Sequence, residues 1–199
     1  MLDHSASARA RTGHRLLQAG RAAEALELLA ASSQSRNESV RITIARAHLA
    51  LEQYEAALET LAGMERWADS AQQVLRVRAT VQASGGDPEG MRATLSQLRG
   101  LAAGSSQRIA AAHTLEGVLE RNLGNHGRAM SSFQASHRLN PNGPALRHIA
   151  ALSESLGDTV RAYRAYAELC RRHGPQSAPC SHRDRLSSPP ERIAPSTQP

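Results

Sequence analysis

The stretch "LGNHGRAMSSFQASHRLNP", residues 123–141, decides how the rest of the chain is read. It holds a Gly-x-x-x-x-Ala step from Gly124 to Ala129, an aromatic at Phe133, two histidines and a closing Asn-Pro. The histidines invite a chemical reading, and the glycine, alanine and phenylalanine a structural one. His126 and His137 are 11 residues apart. That separation is about three helical turns, whereas two ligands on one helix need a spacing of three or four residues. The histidines are therefore read as surface or packing residues, and the Gly-to-Ala step is the feature to follow.

The step recurs. Gly20 to Ala25 and Gly157 to Ala162 repeat it, and Glu52 to Ala57 and Gly86 to Met91 are degenerate copies. The turn positions 20, 52, 86, 124 and 157 are 32, 34, 38 and 33 residues apart, a near-constant period that marks a repeat architecture. Nine residues after each turn stands a large side chain: Leu29, Leu61, Leu95, Phe133 or Tyr166. Seven residues before it stands a small one: Gly13, Ala45, Ala79, Gly117 or Ala150. These columns predict a helical hairpin, in which a small residue on the first helix admits a large residue returning on the second. One hairpin cannot bury its apolar face alone, so hairpins must stack.

Composition fits helices. Aromatics make up 3% of the 199 residues, with one Phe and one Trp, so the core must be built from Ala, Leu, Val and Ile. A sandwich or barrel would ask for many more aromatic and β-branched residues. No segment alternates with period two long enough for a strand; "RVRATV" at 76–81 comes nearest and falls inside a predicted first helix. Asp87 and Asp158 are N-cap candidates for second helices, and Pro144 sits where a first helical position tolerates proline.

The pattern resembles the tetratricopeptide repeat family, a 34-residue helix–turn–helix with a small residue within the first helix, a turn Gly and a small residue early in the second helix. An aromatic or large residue follows four positions on, and a Pro closes the unit. Residues 110–143 match best, through Gly117, Gly124, Ala129, Phe133 and Pro141. Arg78 and Glu116 depart from it where a buried Leu is usual, and Met91 replaces the small residue of the third copy. The resemblance implies an all-α, right-handed solenoid of about five hairpins over residues 1–174, with repeats near 6–37, 38–71, 72–109, 110–142 and 143–174. Residues 175–199, rich in Pro and Ser, cannot form a core and are expected to be a disordered tail.

All 24 basic residues are Arg, against 18 acids and a net charge of +6. Residues 1–99 carry 12 Arg and 11 acids, and residues 100–199 carry 12 Arg and 7 acids, so the second half is where an anionic partner would go first. The start has no apolar run of signal-peptide length, and no window reaches the ~18 to 20 apolar residues of a membrane span. A cytoplasmic protein is expected.

Motifs that could carry chemistry are few. "HTLEGVLER" spaces His113, Glu116 and Glu120 along one helix, but no second carboxylate–histidine segment completes a site. A polar pairing is the favoured reading, with Arg78 as the candidate partner of Glu116 because the two hold equivalent positions in adjacent repeats. "CRRHGPQSAPCSH" offers Cys170, His173, Cys180 and His182, the ligand types of a zinc site at an unsuitable spacing. Cys170 is placed on the last helix and Cys180 in the tail, with no role assigned to either. No nucleophile arrangement or phosphate-binding loop is present. No catalytic residue, metal or cofactor is expected.

The resemblance implies instead a non-enzymatic protein–protein interaction module, an adaptor, scaffold or assembly chaperone. It implies a groove lined by first helices, here by His14, Arg46, Arg76, Thr80, Thr114, Arg121 and Arg147, suited to an acidic peptide or helix. His14 and Arg46 occupy positions where a known peptide clamp of the family has asparagine. The alternative is an anion or nucleic-acid binder using the basic second half, disfavoured by the shortage of aromatics. Val160, Tyr163, Tyr166 and Leu169 form an apolar stripe on the last helix; either the tail folds back over this end or a partner or second copy covers it, and the second is expected.

Overall fold

The computed structural model describes residues 4–32, 37–64, 71–174 and 176–187. These residues form helices and no strand. Ten helices pair as five hairpins: α1 (His4–Gln18) with α2 (Ala22–Ala30), α3 (Glu38–Ala50) with α4 (Tyr54–Leu61), and α5 (Ala71–Ser84) with α6 (Pro88–Leu101). α7 (Ser106–Asn122) with α8 (His126–Leu139) and α9 (Ala145–Ser155) with α10 (Thr159–His173) complete them. α7 starts at Ser106, ahead of the boundary placed at 110.

Local chemistry explains where the helices begin and turn. Asp87 accepts from the Gly90 N–H at 2.8 Å and Asp158 from the Arg161 N–H at 3.0 Å, each capping a second helix. Pro144 stands just before α9 rather than at its first position. All five turn positions have left-handed backbone, with φ of 75° at Gly20, 58° at Glu52, 80° at Gly86, 78° at Gly124 and 74° at Gly157. This geometry is why four of the five are glycine, since a Cβ there meets the following carbonyl.

The two packing columns meet inside each hairpin. A Cβ built on Gly13 would lie 3.0 Å from Cδ1 of Leu29, and one built on Gly117 would lie 2.5 Å from Cε1 of Phe133. Leu29, Leu61, Leu95 and Phe133 are fully buried, and Tyr166 nearly so. Met91, the odd member of its column, is also fully buried and belongs to the cluster of α5, α6 and α7. Core clusters join one hairpin to the first helix of the next: Val77 and Val81 of α5 pack with Ala57 and Leu61 of α4. First helices also touch in succession, α1 on α3, α3 on α5 and α5 on α7, which draws them to the inner side of the stack.

Arginines serve as interface caps. Arg41 donates to the Thr60 carbonyl at 2.6 Å and Arg78 to the Leu61 carbonyl at 3.1 Å, satisfying the open end of α4. Glu116 takes Arg99 of α6 as its guanidinium partner, at 3.0 Å, instead of the Arg78 expected from the repeat register.

The end of the chain departs from the sequence reading. Residues Ala178–Ser187 form an eleventh helix, α11, packed on α10, so this part of the expected disordered tail is ordered; residues 188–199 lie outside the described residues. Cys170 and Cys180 are joined by a disulfide with a Cα–Cα distance of 4.8 Å. Composition points to disorder, but a covalent tie between the last turn of α10 and the first turn of α11 orders a segment too polar to fold by burial alone.

Candidate functional site

The inner face is hollowed between the first two hairpins, where α1 and α3 with Gln73 of α5 line a groove of about 650 Å³. Its floor includes Ala10, Ile42 and Thr43; its rim carries Arg11, His14, Arg15 and Arg46. Among the described residues no carboxylate lines it. Arg11, His14 and Gln18 follow one another at helical spacings of three and four, so α1 turns one face into the groove. His14 Nε2 lies 3.2 Å from Gln18 Nε2.

Arg46 is the most constrained cation. Burial, and after it the charge of Arg76, lowers its pKa from the ordinary arginine value. Both effects disfavour its positive charge, and among the described residues no carboxylate pairs with either guanidinium. A cation half removed from water beside another cation is an unfavourable arrangement that an incoming anion relieves.

The remaining expected groove residues are dispersed. Thr80 donates its hydroxyl to the Arg76 carbonyl at 2.9 Å. Thr114 shares a 2.8 Å hydrogen bond with Ser136 of α8 and another with the Ala110 carbonyl, so its hydroxyl works inside the fourth hairpin. Arg121 lies near His148, whose pKa is lowered first by burial and then by that guanidinium; the His148 ring stacks on Phe133 at 4.8 Å. Arg147 lines a separate hollow with Asn142, Leu169, Arg172 and His173. The structure thus brings His14 and Arg46 to one groove, adds Arg11 and Arg15, sets Arg76 near Arg46 but outside the groove lining, and leaves Arg147 elsewhere.

Charge in the second half is partly consumed by ion pairs. Arg161 pairs with Asp158, Arg172 with Glu168, Arg183 with Asp184 and Arg185 with Glu154. Its acids also absorb arginines from the third hairpin: Arg92 Nε meets Glu120 at 2.7 Å. Glu120 is almost wholly buried and also accepts from Asn125 at 2.8 Å. Burial pushes its carboxyl up, but the hydrogen bonds from Arg92 and Asn125 outweigh that and hold it below the ordinary range. The His113, Glu116 and Glu120 series is therefore occupied by structural pairs, His113 lying 3.2 Å from Glu116.

The apolar stripe of α10 divides. Tyr166 and Leu169 are core residues, whereas Val160 and Tyr163 stay exposed. α11 covers the Tyr166 side itself: the His182 ring stacks on Tyr166 at 4.7 Å, and Tyr166 donates to Glu154 at 2.6 Å. Tyr166 and Leu169 are thus not available as an open-end interface while α11 is in place. Both cysteine sulfurs are committed to the disulfide, which removes them from any ligand set.

Residues 16–81 match the model of a family described as tetratricopeptide repeat, from the end of α1 through most of α5. Three solved structures share the fold. A thermophilic tetratricopeptide repeat protein of Thermus thermophilus has a TM-score of 0.57 at 20% identity, over 91% of this chain and 96% of that one. MamA of Desulfovibrio magneticus, residues 41 to the end, gives 0.59 at 15% identity, over 89% and 100%. A tetratricopeptide repeat protein of Parabacteroides merdae gives 0.58 at 16% identity, over 92% and 72%. Among curated proteins no sequence match was found.

Proposed function

We propose that this chain, a tetratricopeptide repeat protein, is a non-enzymatic protein–protein interaction module whose groove between α1 and α3 holds an acidic segment of a protein partner. The observation that carries the reading is the convergence of Arg11, His14, Arg15 and Arg46 on one groove that no carboxylate among the described residues lines. Arginine presents a planar fork that takes a carboxylate through two hydrogen bonds, so several around one groove favour a segment bearing repeated Asp or Glu. The exposed Arg11 and Arg15 accelerate encounter, and the half-buried Arg46 supplies the contact that holds the segment. Adaptor, scaffold and assembly-chaperone roles all use such a groove.

The expectation that the second half would receive an anion shifts accordingly. Among the described residues, the second-half arginines that pair with no carboxylate are spread over α7, α8, α9 and α10, whereas Arg11, Arg15 and Arg46 of the first half meet at one groove. No helix among the described residues is long and apolar enough to cross a membrane. The Cys170–Cys180 disulfide weighs against the expected cytoplasmic location, because disulfides persist in oxidising surroundings.

The test is a fluorescence-anisotropy titration with labelled twelve-residue peptides of acidic, neutral and basic composition, together with single-stranded RNA of similar charge. The reading expects the acidic peptide to bind and its affinity to fall with added salt. Preference for RNA over the acidic peptide would replace it with the nucleic-acid reading.

A further inference from the structure

We propose that α11 is a redox-released cap: the Cys170–Cys180 disulfide holds it over the end of the repeat stack, and reduction by a dithiol frees it.

The non-covalent hold on α11 is slight. Of its residues Cys180, the bridging one, is buried; Leu186 packs only partly against the cluster of α8, α9 and α10. Its other anchors include the His182 ring on Tyr166, two contacts to Glu154, from His182 Nδ1 at 3.2 Å and Arg185 at 3.7 Å, and the contact of Arg183 with Cys170 Sγ. Pairs this exposed contribute little. A ten-residue helix does not persist on its own. The covalent link is therefore what keeps α11 docked.

Reduction balances as two successive exchanges. A thiolate of the reductant attacks Sγ of Cys180, forming a mixed disulfide and expelling Cys170 as a thiolate, which takes up a proton. The second thiol of the reductant then displaces Cys180 and closes the reductant's own disulfide. In total two electrons and two protons pass to the protein. Arg183 lies 3.4 Å from Sγ of Cys170, placed to stabilise that sulfur as it leaves. Both cysteines are buried, so attack follows a local opening of α11. Once α11 leaves, the ring of Tyr166 loses its cover and the hollow shared by Arg147, Leu169 and His173 loses the wall made by Ala178, Pro179 and His182. The freed surface is aromatic and partly cationic, and its Tyr166 face is covered in the oxidised protein.

The experiment uses the full chain, oxidised with glutathione disulfide or reduced with dithiothreitol, the thiol content being confirmed by alkylation and mass measurement. Tryptic cleavage after Arg185 should be at least about tenfold faster in the reduced protein, because it tracks the open population. Deuterium uptake over 178–187 should rise, with α1 to α9 unchanged. The Cys170→Ser/Cys180→Ser double variant should behave as the reduced protein under both conditions. Arg183→Gln should slow reduction without altering protection of the oxidised form. Equal protection of 178–187 in verified oxidised and reduced samples would overturn the proposal. So would two free thiols after oxidation.

Discussion

Gly117 of α7 and Phe133 of α8 are in such close contact that a Cβ on the glycine would lie 2.5 Å from the ring's Cε1 and 2.6 Å from its Cδ1. Phe133 is fully buried and stacked on His148, so the ring cannot move aside cheaply. Gly117→Ala should therefore destabilise the protein by about 1–3 kcal/mol, the overpacking term exceeding the gain in helix propensity. At Gly127 of α8 an added Cβ would meet nothing within 4 Å. Its change to Ala should be neutral or stabilising by up to about 1 kcal/mol. Urea denaturation of both variants checks the contrast.

Glu52 takes the turn position that glycine fills in the other four hairpins, at φ 58°. Among the described residues it is the one non-glycine with left-handed backbone. Glu52→Gly should relieve about 1 kcal/mol of strain, less the entropy glycine adds to the unfolded chain. A rise in Tm is expected, and a fall would show that the Glu52 side chain contributes more than its backbone costs.

Glu120 depends on Arg92 and Asn125 to remain charged while buried. Arg92→Ala should cost about 3 kcal/mol at neutral pH by leaving that carboxylate short of a partner, and Glu120→Gln should cost less. Because the folded pKa is depressed, its stabilisation is complete above the ordinary carboxylate value of 4.5 and is lost as pH falls through the lower folded value. Denaturation midpoints followed from neutral pH into this acid range should show a weaker pH dependence for Glu120→Gln than for the unmodified protein.

The repeat is legible in the sequence because its columns answer to backbone requirements. A turn with positive φ selects glycine at 20, 86, 124 and 157, and close approach selects a small residue 16 positions before a large one, as at Gly13 and Leu29. Pairings between hairpins are not legible in this way. Repeat register pairs Glu116 with Arg78, but the placement of α6 beside α7 brings Arg99 to it instead. α11 is hidden by its Pro- and Ser-rich composition, since its order comes from a bond and not from apolar burial. In the candidate site, register finds His14 and Arg46 but misses their neighbours Arg11, Arg15 and Gln18, although these lie at helical spacing from His14 or next to it. Register also places Thr114 in the groove, and its hydroxyl instead bonds Ser136.

Charge reversal of the groove tests the central claim most directly. Arg11→Glu/Arg46→Glu, both at the groove, should be compared with Arg108→Glu/Arg138→Glu, which makes the same charge change at exposed positions of the second half. Both are to be titrated with one acidic peptide by fluorescence anisotropy at constant salt, with circular dichroism to show that each variant is folded. The account predicts a loss of affinity of about tenfold or more for the groove pair and at most about threefold for the second-half pair. Equal losses, or a greater loss for Arg108 and Arg138, would contradict it by showing that net charge and not the groove between α1 and α3 receives the acidic segment.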